Sequence, residues 1–122
     1  MIVAGFGFRQ SATRESLVDA LRRAWVAPGP ASLATATVKA AHPALAALAA
    51  DLGIGVEAMP ADALASQTTL THSPRSWAAH GTGSVAEAAA LAALGPGARL
   101  LGPRSVSGDG RATCALAWKD IT

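Results

Sequence analysis

The sequence has few residues that build broad apolar contacts, and little charge. Its 122 residues include no Tyr, two Phe and three Trp, 4% aromatic in all. Nothing interleaves these rings with basic side chains, which excludes a stacking platform for single-stranded nucleic acid. Charged residues make up 15% and the formal net charge is +2, too little for an extended nucleic-acid footprint. Cys114 is the sole cysteine, so no intrachain disulfide forms, and a cytoplasmic setting is expected. The longer apolar stretches are short or are interrupted by Asp51, Glu57 or Asp62, which leaves no room for a membrane-spanning helix of about 20 residues. The opening Met1-Ile2-Val3-Ala4 lacks the basic start of a secretory signal. His42, His72 and His80 are not at HxH or HxxxH spacing and no Cys cluster accompanies them. Neither a metal nor another cofactor is therefore expected.

What is present suits one small domain over residues 1–122. The composition is 51% hydrophobic, and about a quarter of the chain is alanine, which favours helix and close approach of elements while burying little area.

Strands and helices alternate. Ile2–Phe6 reads as a buried strand, and Thr13 as the N-cap of a helix carrying Leu17, Val18, Leu21 and Trp25, with Glu15 in its first turn. Ser32–Val38 is β-rich. His42-Pro43 opens a second helix that Gly53 stops, and Ile54–Met59 is a third strand. Pro60–Ser66 reads as a turn or two of helix. Residues 67–83 form the longest irregular stretch, with room for a short helix at Pro74–His80. Ser84-Val85-Ala86-Glu87 has the pattern of a capping box, in which Ser84 covers the Glu87 amide and Glu87 reaches back. Arg99–Gly102 and Ala112–Trp118 read as final strands, with a turn at Ser107-Gly108-Asp109-Gly110. The pattern predicts a three-layer α/β/α domain with a mostly parallel, mixed sheet of about five strands. Ligands of such sheets bind beyond the carboxyl ends of the strands. Arg9, Lys39, Arg75 and Arg104 fall in those loops, and they point to a local anion site.

Gly5-Phe6-Gly7 before a helix has part of a dinucleotide fingerprint, yet Gln10 stands where the third glycine belongs and Lys39 where an acid is needed. The two glycines then either make a tight turn or admit an anion to backbone amides at a helix start. Gly81-Thr82-Gly83-Ser84 lacks the second flanking glycine of a nucleophile elbow. Ser84 and Glu87 read as helix caps, or as a helix N-terminus facing a ligand carboxylate. Cys114 reads as an inert buried thiol.

Several segments together resemble a known family: Val3 to Arg9 leading into a helix, the Thr-rich strand ending at Lys39, Thr71-His72-Ser73-Pro74-Arg75, Gly83 through Leu91, and Leu100 to Arg104. The chain resembles the CobE / CbiG C-terminal domain family of cobalamin biosynthesis over its whole length, in the stand-alone form. The resemblance implies handling of a polycarboxylated corrinoid intermediate, or opening of a ring-A lactone with release of a two-carbon fragment. A third implied role is docking on corrin methyltransferases through the alanine-rich helices, and neither nucleic acid nor membrane is an expected partner. The residues expected at the ligand are Gly5, Gly7, Arg9, Ser11, Thr13, Lys39, Ser73, Gly83, Ser84 and Glu87. Phe8 stands where relatives often carry a small residue or Cys, and Arg104 where Lys is common. For the lactone reaction, Glu87 or a histidine of the irregular stretch is the expected base for water.

Overall fold

Strand β1 (Ile2–Phe8) is the centre of the fold, and its side chains explain both layers that cover it. In the computed structural model, which describes residues 1–120, Ile2, Ala4 and Phe6 face one side of the sheet and Val3 the other. The last two residues of the proposed 1–122 domain lie outside the description. A strand covered on both faces reads as a continuous apolar run, as this one does.

Helix α1 (Arg14–Ala24) follows, with the Thr13 hydroxyl accepting the Ser16 amide and Ser16 Oγ accepting the Thr13 amide. It packs with α2 (Pro43–Leu52) over the Ile2, Ala4 and Phe6 face, where Leu17, Leu21, Leu45 and Leu48 are buried. Trp25 is the C-cap of α1 and exposed rather than part of its buried stripe. Strand β2 is Ser32–Ala36, shorter than the sequence suggests, because its ladder with β3 (Val56–Met59) ends at Ala36 opposite Met59. Beyond that point Thr37–Lys39 turn into a single 3₁₀ turn, and Val38 is left 80% exposed. Gly53 ends α2 at φ 67°, a left-handed position glycine takes without a Cβ penalty.

The other face is covered by α5 (Val85–Leu94), helped by α3 (Ala61–Ala65), with α4 (Pro74–His80) at the rim. Val85 through Leu91 are all buried. The short alanine side chains let the α5 backbone press onto β1. A Cβ on Gly5 would lie 1.9 Å from the Ala86 carbonyl oxygen. The tight-turn reading of Gly5 and Gly7 is thus corrected: both lie within β1, and Gly5 is there because α5 leaves no space for a side chain.

The order across the sheet is β3-β2-β1-β6-β4, where β4 is Arg99–Leu100 and β6 is Ala112–Trp118. Strand β5 (Ser105–Val106) pairs with β6 further along the same edge. Strands β1, β2 and β3 are mutually parallel, while β6 runs antiparallel to β1, β4 and β5. The hairpin partner of β6 across the Ser107–Gly110 turn is therefore β5 rather than the Arg99–Gly102 segment. The fold is the mixed α/β sandwich expected. The carboxyl ends of β1, β2, β3 and β5 and the start of β6 all meet at one edge of the sheet.

Candidate anion-binding site

That edge opens into a cavity of about 670 Å³, within the usual size range of small-molecule sites. The sheet, its loops and the α4 and α5 side contribute. Gly7, Phe8, Arg9, Gln10 and Ser11 come from the end of β1, Thr35 and Lys39 from β2 and the 3₁₀ turn, and Ser73, Arg75, Ser76 and His80 from α4 and its cap. Arg104 precedes β5 and Val106 ends it, while Arg111 precedes β6 and Thr113 lies near its start. Five cationic side chains thus line the cavity, and none of the lining residues is Asp or Glu.

The walls are held by contacts readable residue by residue. His42 caps α2 by accepting the Ala44 amide at Nδ1, which puts its ring proton on Nε2, 2.9 Å from the Gln10 carbonyl. Its ring meets Phe8 edge to face, and Lys39 Nζ sits 5.5 Å from the Phe8 ring centroid. The aromatic ring at position 8 therefore carries a cation at the mouth of the site. Asp109 fixes the turn before β6, accepting from Ser16 Oγ and Ser107 Oγ at 2.6 Å each and from the Arg111 amide. These donors hold its carboxyl down at a pKa of about 2, the Ser107 and Ser16 hydroxyls foremost. The Arg9 amide in turn donates to the Arg111 carbonyl at 2.9 Å.

Glu87 departs from expectation. Ser84 Oγ does accept the Glu87 amide, but the Glu87 carboxylate does not reach back. It is fully buried, with one oxygen accepting the Leu70 and Thr71 amides and the other accepting Thr71 Oγ1 and the Arg104 amide. Four donors occupy the four lone-pair positions of the carboxylate. Glu87 thereby ties the irregular stretch, and the segment that carries Arg104, to α5.

Of the ten residues expected at the ligand, Gly7, Arg9, Ser11, Lys39 and Ser73 line the cavity. Gly5, Thr13, Gly83, Ser84 and Glu87 lie outside its lining. Thr13 and Ser84 are caps, and Gly5 makes room for α5. Gly83 accommodates the irregular stretch, since a Cβ there would come 2.5 Å from His72 Nδ1 and 2.7 Å from the Thr71 carbonyl. Arg111 is the charged lining residue that the sequence does not single out, and His80 is one of the two histidines of the irregular stretch considered as a base for water. The signal for Arg111 was its place between the Gly110 turn and an expected strand. His80 is half-buried, and burial, with Lys39 nearby, pushes its pKa below the usual imidazole value.

The sequence profile described as Cobalamin synthesis G C-terminus matches residues 2–117. The chain belongs to the cobalamin synthesis G C-terminus family. Among solved structures, CobE, described as a protein from the cobalamin (vitamin B12) biosynthetic pathway, is 33% identical with a TM-score of 0.83, over 96% of this chain and 89% of that one. The cobalamin biosynthesis protein chiG of Agrobacterium tumefaciens is 37% identical with a TM-score of 0.73, over 98% and 99% of the two chains. A putative cobalamin biosynthesis protein G homolog from Sulfolobus solfataricus shares the fold at 16% identity and a TM-score of 0.64, this chain matching 36% of its length. No curated protein sequence matches. No helix among the described residues is long and apolar enough to cross a membrane, and none of them form a His, Cys, Asp and Glu group suited to a metal ion.

Proposed function

We propose that this member of the cobalamin-biosynthesis family binds a polycarboxylated corrinoid intermediate at the cationic edge of its sheet. The observation that carries the reading is the lining itself: Arg9, Lys39, Arg75, Arg104 and Arg111 around one cavity with no carboxylate among them. Early corrin intermediates carry acetate and propionate side chains around a flat apolar ring. Guanidinium groups suit such carboxylates by forked hydrogen bonding, while Phe8, Ala79, Val85 and Val106 offer the ring an apolar surface.

The lactone-hydrolase role has less support. A lactone hydrolase using Glu87 would need a free carboxylate oxygen, and both of its oxygens are committed to four donors. A histidine base in the cavity would lack an orienting carboxylate, since none lines it. For an adaptor surface on the alanine-rich helices, α5 is unsuited because its alanines from Ala86 to Ala90 are buried against the sheet, which leaves α2, where Ala46 and Ala50 are exposed.

Spectral titration with cobyrinic acid, a corrin bearing seven carboxylates, tests the reading. Its visible bands should shift on binding, and affinity should fall as ionic strength rises. Replacing Arg9 and Lys39 together by Ala should weaken binding by about 30-fold, taking roughly 1 kcal/mol for each cation. No spectral change at low salt, or equal affinity in the double variant, overturns it.

A further inference from the structure

Of the side chains lining the cavity, His80 is the one whose ordinary charge change falls near neutral pH. It enters from the last turn of α4, with Arg75 on the same helix, Lys39 across from it on the 3₁₀ turn, and Arg9, Arg104 and Arg111 on the other walls. Asp62, on the α3 helix against which α4 packs, is exposed and outside the lining. His80 thus faces cations with no anion among the lining residues. With the cavity empty, the ring is mostly neutral at pH 7, because burial and Lys39 both disfavour its charged form.

A carboxylate arriving beside the ring reverses that balance, since an opposite charge within a few ångströms favours the imidazolium. Building on the polycarboxylate reading above, we propose that His80 is a proton-coupled carboxylate contact that takes up one proton from solvent as the ligand enters and so distinguishes carboxylate from carboxamide side chains. The bound proton makes it a sixth cation and a charged N–H donor. A carboxamide brings no charge, so it leaves the ring neutral. The site thereby reads the amidation state of a corrin's periphery. By linkage, affinity for a carboxylate ligand rises as pH falls through the His80 pKa of the complex and levels off below that of the empty site.

Calorimetric titration decides this, with dicyanocobyrinic acid as the carboxylate probe and dicyanocobinamide as the amide probe. Cyanide on both cobalt faces keeps the imidazole from coordinating the metal. Titrations in two buffers of different ionisation enthalpy at pH 7 should show net proton uptake with the carboxylate probe and none with the amide. Between pH 8.5 and 6 the carboxylate affinity should increase several-fold, on the way to the roughly tenfold plateau that a pKa raised by one unit gives well below the pKa of the empty site. His80→Gln should lose both the uptake and the pH dependence, and His80→Lys, charged throughout, should bind tightly with no pH dependence. Binding without proton uptake, or uptake that persists in His80→Gln, overturns the role of His80 and leaves corrinoid binding standing. No binding at low salt at any pH overturns both.

Discussion

Gly5 on the central strand and Ala86 on α5 approach so closely that a Cβ on the glycine would lie 1.9 Å from the Ala86 carbonyl oxygen and 2.7 Å from the Ala90 amide nitrogen. Both obstacles are backbone, so no rotamer change relieves them. Gly5→Ala should therefore cost at least about 3 kcal/mol, the upper end of the usual range for overpacking. Gly55→Ala, where nothing lies within 4 Å, should be close to neutral. Chemical denaturation of the two variants checks the contrast.

Substituting Glu87 by Gln replaces one acceptor oxygen with an NH2 group that must face donors such as the Arg104 or Leu70 amide. The expected destabilisation is about 3 kcal/mol, as for other buried charged networks broken on one side. Amide hydrogen exchange should quicken at Leu70, Thr71 and Arg104 together, because a single carboxylate protects all three. Unchanged exchange at those amides would show that the network is not what orders the two loops.

Asp109 supplies a pH dependence with a defined sign. Its pKa in the fold is about 2 against an ordinary 3.8, so its contribution is present above about pH 4 and is lost as pH falls toward 2. The wild type should lose thermal stability across that window more steeply than Asp109→Asn, which has no carboxyl to protonate. Melting curves at pH 4.5 and 2.5 make the comparison.

Cys114 lies mid-strand in β6 with no exposed surface, and burial pushes its thiol pKa far up. A buried neutral thiol is a poor nucleophile. The native protein should not react with a thiol-specific disulfide reagent at pH 8, and denaturant should release one reactive group per chain.

The parts of the fold visible in the sequence were those with local causes. Thr13, His42 and Ser84 mark helix starts through bonds made within one turn, and each cap is where the pattern puts it. The cationic edge was visible as well, because charges in loops after alternating strands must share a sheet edge. The misreadings came from partners distant along the chain. Glu87 fits a local capping box, yet its acceptors serve amides 16 and 17 residues away. Gly5 looks like a phosphate-binding turn, but the helix that demands it begins 80 residues later. Val38 has strand propensity and no facing residue on β3, so propensity alone extended β2 too far.

No carboxylate lines the cavity beside its five cations, Asp109 lying behind Arg111, and like charges held together oppose the compact state that holds them. The empty protein thus carries an electrostatic stress at the edge that is built to be filled. Added salt or a multivalent anion should relieve that stress, so occupancy can be followed through melting temperature, with no need for a coloured ligand.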